Sequence, residues 1–158
     1  IVDTVRLSAP FLKDLVLRPS PLNPKQIKLE WQHEGSDAYF DASSLSDGTI
    51  RLICLSTLLL QPSLPSVVLL DEPELGLHPA AVNDLASLLR RASSRAQVIV
   101  STQSVTLVNH LRPGEIVVAD RVQGASTFRR LGEEEIASWL DEYALGELWE
   151  KNILSGRP

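Results

Sequence analysis

An apolar run that ends in adjacent carboxylates, Val67-Val68-Leu69-Leu70-Asp71-Glu72-Pro73, carries the residues of this chain best suited to chemistry. Ligands of open α/β sheets gather at the carboxyl ends of strands, so a strand over Val67 to Leu70 would deliver Asp71 and Glu72 to that edge. Pro73 restricts the residue before it, and Glu72 is therefore expected to stay extended and to point onward into a crevice. The first carboxylate of such a pair can hold Mg²⁺ directly or through water, and the second can take a proton from an attacking water. A solvated acidic turn is the plainer account of Asp-Glu-Pro.

Two further segments suit the same chemistry. Gln103 lies 32 positions after Asp71, at the end of a second apolar run, Gln97 to Ser101, and is expected at the same edge as Glu72. Its amide can both donate and accept, which fits a group that senses a phosphate or positions a water; taken alone it is a polar residue ending a strand. Leu45-Ser46-Asp47-Gly48-Thr49 sets a hydroxyl, a glycine and free backbone N–H groups at a helix N-terminus, a natural anion site. An ordinary N-cap with Leu45 as hydrophobic staple explains the same letters.

The elements that must position these groups follow from periodicity. Residues 1–24 read as mostly loop, because Pro10, Pro19, Pro21 and Pro24 interrupt any long element. Ile27, Leu29 and Trp31 alternate with polar residues as in a half-buried strand, and a turn at Glu34-Gly35-Ser36 leads to a short strand over Ala38 to Asp41. Ile50 to Leu60 predicts a deeply buried helix capped by Ser46 or Asp47 and ended by Gln61-Pro62. Val67 to Leu70 has the look of a central parallel strand covered on both faces, and Gln97 to Ser101 of a second buried strand. Between them Pro79 opens a helix with Val82, Leu85, Leu88 and Leu89 at helical spacing and Arg90-Arg91 in its last turn, which completes a βαβ unit. Ile116 to Arg121 and Ala125 to Leu131 flank Gln123-Gly124 as a hairpin, and the tail predicts amphipathic helices over Glu133 to Tyr143 and Leu145 to Ile153.

Composition bounds the function. The length, 158 residues with 44% apolar, suits one domain with a real core. A net charge of -5 excludes nucleic-acid binding by bulk charge, and the longest apolar stretches are too short for a bilayer, so the expectation is a soluble, cytoplasmic protein with no membrane contact. The single cysteine, Cys54, excludes an internal disulfide framework and is expected in the core of its helix. His33, His78 and His110 lack a second ligand at helical spacing, which argues against zinc. Trp31, Trp139 and Trp149 are expected in the core or against a partner, and Arg121, Arg129 and Arg130 on a solvated edge strand.

Together the segments resemble the second half of an ABC-type ATPase head, of the group that includes RecF-like, SMC-like and overcoming-lysogenization-defect (OLD) ATPases. Leu45 to Thr49 is similar to the signature loop in its Ser-Asp-Gly-Thr form, Val67 to Glu72 to the Walker B strand, Leu75-Gly76-Leu77-His78-Pro79 to the D-loop, and Ser101 to Ser104 to the switch region; the resemblance covers about Ala42 to Leu131. It implies an α/β fold, the C-terminal lobe of a parallel-sheet P-loop NTPase with a βαβ unit, a hairpin and C-terminal helices. It implies that Asp71 supports Mg²⁺, that Glu72 polarises the attacking water with Gln103 in the switch position, and that Ser46, Asp47, Gly48, Thr49 and His78 border the ATP of a partner subunit. The partners so implied are the N-terminal half of the same head, a second head in a head-to-tail homodimer, and DNA, if at all, through other regions. Gln103 stands where the family has histidine and cannot carry imidazolium charge; Asp47 replaces a signature glycine. None of Lys13, Lys25, Lys28 and Lys151 follows a glycine, so a Walker A loop is expected on chain preceding Ile1, which is not a Met. The implied work is ATP hydrolysis with nucleotide-dependent dimerisation in DNA repair, recombination or phage defence; an ATPase-like dimerisation module that does not hydrolyse is the alternative.

Overall fold

The computed structural model of the chain describes residues 1–140 and 142–154. Two compact units follow one another, Ile1–Ser101 and Thr102–Pro158. The first carries helix α1 (Val2–Ser8), strands β1 (Leu12–Ser20), β2 (Asn23–His33) and β3 (Tyr39–Asp41), helix α2 (Asp47–Leu60), strand β4 (Val67–Asp71), helix α3 (Pro79–Ser93) and strand β5 (Gln97–Ser101). Helix α4 (Val105–Val108), strands β6 (Val117–Val122) and β7 (Ala125–Arg130), and helices α5 (Glu133–Leu140) and α6 (Leu145–Glu150) make up the second.

The opening residues are not loop, as their prolines suggest, but α1 and β1. Pro10 falls in the turn between them, and Pro19 sits near the end of an edge strand, where a missing N–H costs no central ladder bond. β1, β2 and β3 form an antiparallel sheet in that order, and β2 runs well beyond the expected Ile27–Trp31 segment. β2 and β3 close the path toward α2. The Trp31 indole N–H lies 3.2 Å from the Asp41 carbonyl and 3.0 Å from Ser44 Oγ, tying β2 to the 3-10 turn Ala42–Ser44. Trp31 then packs in one cluster with Val5, Ala9, Leu12, Leu45, Leu52, Ile53 and Ala81, so the residue just before the N-cap of α2 is anchored in the core.

α2 begins where expected. Ser46 is its N-cap, and Leu52, Ile53, Leu55, Ser56 and Leu59 are buried. Cys54 is exposed rather than in the core, because its position on the helical wheel falls opposite that stripe. At the far end Arg95, just past α3, donates to the carbonyls of Leu59 (2.9 Å) and Gln61 (3.2 Å) and so caps α2 in trans. α3 packs on α2, with Ala81 in the cluster that holds Leu52 and Ile53, and buries Val82, Leu85, Leu88 and Leu89.

β4 and β5 pair in parallel through the crossover α3, with Asp71 opposite Ser101. They differ from the expected fully buried strands: Val68 is buried, while Val67, Leu69 and Ile99 on the other face are 45%, 71% and 49% exposed. The continuous apolar run reports what the strand is built to bury, not what this stretch of chain covers. No helix among the described residues is long and apolar enough to cross a membrane.

The second unit has its own core of Leu131, Ile136, Leu145, Leu148 and Leu154, with Val108 and Ile116 against it. The hairpin β6–β7 forms with Gln123 and Gly124 at positive φ in its turn, as the two-residue loop requires. The tail helices are shorter than expected, Trp139 is 42% exposed and so not in the core, and Asp141 within the first expected helix lies outside the described residues. α4 and α6 meet at Gly146, whose N–H donates to Asn109 Oδ1 at 2.7 Å.

A Cβ at position 146 would sit 2.6 Å from the Val105 carbonyl oxygen, so Gly146→Ala should destabilise the second unit by about 1–3 kcal/mol, read as a lower denaturation midpoint. Unchanged stability would mean that α4 and α6 are not in contact there.

The β2–β3 edge carries a charge cluster in which Lys28 Nζ lies 3.1 Å from Asp41 Oδ2 and 3.3 Å from Glu30 Oε1. The Ser43 backbone N–H, then Lys28 and the Ser43 hydroxyl, lower the Asp41 carboxyl to about 2, from 3.8. A depressed carboxyl contributes stability above its ordinary value and loses it as the pH falls through the folded one. Chemical denaturation of Asp41→Asn against the parent should therefore show a stability gap at neutral pH that narrows between pH 3.8 and about 2. A gap independent of pH would place the Asp41 effect outside its charge.

Candidate functional site

The site is built where the first turn of α2 meets the turn that follows β4. Ser46 Oγ accepts the Thr49 backbone N–H at 3.2 Å and lies 2.9 Å from Thr49 Oγ1, while the Ile50 N–H bonds the Ser46 carbonyl at 3.0 Å. With those donors satisfied, the N–H groups of Asp47 and Gly48 are the uncapped pair of the first turn. Asp47 lies in that turn, where a carboxylate favours the helix dipole. Gly48 has a reason of its own to be glycine: a Cβ there would stand 2.3 Å from the Gly76 carbonyl oxygen. The glycine-containing loop and the turn after β4 therefore touch backbone to backbone.

Asp71 and Glu72 reach the carboxyl edge of the β4–β5 pair, as expected. The Ser101 hydroxyl, from the register-matched position of β5, donates to Asp71 Oδ1. Glu72 departs from the expected extended backbone: its φ is 41°, in the left-handed region. Pro73 disfavours the ordinary helical region but does not enforce extension once other contacts hold the peptide. Those contacts are the Glu72 N–H to the Ser101 carbonyl (2.9 Å), and the Glu72 carbonyl accepting from Leu75 N–H (3.1 Å) and Arg51 Nη1 (2.9 Å). A non-glycine residue held at such a φ costs about 1–3 kcal/mol, and these bonds offset it. Gly76 follows with φ 79°, where a left-handed residue closes the turn.

His78 is the N-cap of α3, its Nδ1 accepting the Ala80 N–H at 3.2 Å. That contact requires a lone pair on Nδ1, so the other ring nitrogen, Nε2, holds the remaining hydrogen-bonding capacity. Gln103 belongs to the second unit, exposed, between the end of β5 and Ser104, the N-cap of α4. Ser46, Asp47, Gly48, Thr49, Asp71, Glu72 and His78 all lie in the first unit. Arg51 was not anticipated as part of it, and Ser101 was expected only as the first residue of the switch segment, not as the partner of Asp71. The available signal for Arg51 was a lone cation inside the otherwise apolar stretch Ile50 to Ile53; for Ser101 it was the register that a parallel pair imposes.

The donor set suited to a hard cation such as Mg²⁺ is the Asp71 carboxylate. Among the described residues no group of three or more metal-ligating side chains occurs. Asp71 is exposed and has one oxygen oriented by Ser101, leaving the other for such an ion.

Comparison with known proteins gives the family and the fold of the chain. Residues 3–109 match the family model described as "AAA domain, putative AbiEii toxin, Type IV TA system". No protein of curated function matches. Among solved structures, one from work on ATP-driven dimerization and DNA-stimulated activation of SMC ATPases superposes with TM-score 0.59 at 21% identity, over 89% of this chain and 92% of that one. An SMC head bound to the C-winged helix domain of ScpA gives TM-score 0.67 at 19% identity over 87% of this chain. The Smc head domain from Pyrococcus furiosus, with an extended coiled coil and bound to the C-terminal domain of ScpA, gives 0.66 at 22% over 89%. The chain spans 42% and 36% of the length of the latter two. It belongs to the family of AAA domains described as putative AbiEii toxin of type IV toxin–antitoxin systems, and its fold is that of an ABC-type, SMC-like P-loop ATPase head.

Proposed function

We propose that the chain supplies the signature, Walker B and switch portions of a head that binds and hydrolyses ATP between two heads arranged head to tail. The observation that carries this reading is the joint placement of Glu72 and the first turn of α2, joined by the Gly48–Gly76 approach and the Arg51 bond to the Glu72 carbonyl.

In this reading Asp71, aligned by the Ser101 hydroxyl, holds Mg²⁺, which neutralises phosphate charge when bound. Glu72 takes the proton of the attacking water, and its clamped backbone spares it reorganisation during the reaction. Ser46, Gly48 and Thr49 offer hydroxyl and N–H donors to the γ-phosphate of the ATP held by the neighbouring head, at a helix N-terminus that favours an anion. This reading requires the Asp47 carboxylate to turn away from that phosphate. His78 has Nε2 left to meet the neighbouring head across the D-loop, and Gln103, two residues past β5, fills the switch position.

The phosphate-wrapping Walker A loop is assigned to the N-terminal half of the same head. Two findings support this: the chain spans 42% and 36% of two SMC head structures, and the apolar face of Val67, Leu69 and Ile99 is bare. The DNA-linked part of a role in repair, recombination or phage defence is supported by the likeness to a structure from work on DNA-stimulated SMC ATPases. With a net charge of -5, DNA would be met through other regions. A head that dimerises without hydrolysing is the second reading, favoured by glutamine at position 103, which cannot take up a proton as imidazole can.

In the full-length protein, Glu72→Gln should slow ATP hydrolysis by about 10² to 10⁴ and leave ATP binding intact, measured by steady-state phosphate release and nucleotide titration. A parental rate would remove Glu72 as the base. A parent that binds ATP, dimerises and releases no phosphate would establish the second reading.

Ser46→Arg should abolish activity alone, and mixing it with a Walker A variant should restore about half the parental sites per heterodimer, since each chain contributes what the other lacks. Absence of recovery at every mixing ratio would mean that the site is built within one chain.

A further inference from the structure

We infer that Arg51 is a positioning residue for hydrolysis: it holds the Glu72 peptide in its left-handed conformation and makes the first turn of α2 and Glu72 move as one piece. This rests on the proposed function of Glu72 and Ser46.

Arg51 follows Gly48 by three residues, so both occupy one face of α2. That face docks on the turn after β4 at two points, Gly48 against the Gly76 carbonyl and Arg51 Nη1 on the Glu72 carbonyl at 2.9 Å. Arg51 is partly buried, and among the described residues it forms no ion pair, so its guanidinium serves a backbone carbonyl instead of a carboxylate. The carbonyl it selects belongs to the one non-glycine residue of the first unit at positive φ. Any displacement of the Ser46–Gly48 turn toward a phosphate is thereby carried into the peptide of Glu72. A head that has engaged its neighbour's nucleotide would set its own base by this link.

The test is a double-mutant cycle in the full-length protein, read as kcat and KM for ATP. Arg51→Ala should lower kcat by about 10²-fold, the cost of a base misplaced by roughly an ångström, with KM within about twofold. Arg51→Lys, which keeps a cation able to reach a carbonyl, should recover part of the loss. In the Glu72→Gln background, Arg51→Ala should cost less than about twofold, because a residue acting through Glu72 has nothing left to position. Equal cost in both backgrounds, or a rise in KM matching the fall in kcat, would overturn the inference while leaving Glu72 as the base. If Arg51→Ala does not fold, Arg51→Lys and Arg51→Gln complete the same cycle with the same criteria. Parental hydrolysis by Glu72→Gln alone would instead overturn the proposed function, and this inference with it.

Discussion

The first unit depends on a backbone contact that tolerates no side chain. Gly48 on α2 and Gly76 after β4 approach so closely that a single methyl group at position 48 would displace one of them. That approach fixes the height of α2 over the end of β4, and the height in turn decides whether the Arg51 guanidinium reaches the Glu72 carbonyl. The unusual φ of Glu72 is a consequence: with its N–H given to Ser101 and its carbonyl shared by Arg51 and Leu75, the peptide has only one orientation that satisfies all three bonds.

The antiparallel sheet before α2 holds that contact from the other side. Trp31 reaches from β2 to the Asp41 carbonyl and Ser44, the Asp41 carboxylate accepts from Ser43, and Leu45 is buried with Leu52 and Ile53. The chain thus enters α2 from a turn that is hydrogen-bonded on one side and packed on the other, and Ser46 caps the helix from a fixed position. Arg95 secures the opposite end. A helix whose two ends are both held from outside can present its first turn in one orientation, which is what anion recognition by a helix terminus needs.

Much of this was legible in the residues. The β4–α3–β5 unit, the cap at Ser46, the hairpin at Gln123-Gly124 and the edge position of Asp71 and Glu72 all follow from local patterns with short range: apolar runs, Pro79 at a first helical position, glycine in a tight turn. The misses have physical causes. Prolines in residues 1–24 mark boundaries and an edge strand as readily as they mark loop, and local composition cannot distinguish these. Cys54 was misplaced because it was read as one more apolar letter in the run Ile50 to Leu60, although Asp47, Arg51 and Thr57 fall on its side of α2. Glu72 was misread because its backbone is set by Arg51 and Ser101, which are remote in sequence, so a rule about the following proline could not decide it.

The separation of Asp71 and Ser101 also bears on how the molecule comes into being. These two meet only after 30 residues of chain have been brought round through α3, whereas the hairpins β1–β2 and β6–β7 close over a few residues. Loop closure disfavours the long connection at early times, so parallel pairing is intrinsically slow and the carboxylate edge belongs to the late stages of folding. A nascent chain in which α2 is already capped would therefore present its Ser46–Thr49 turn before Asp71 and Glu72 have reached their edge, which under the proposed function leaves the phosphate side of the site formed ahead of its base.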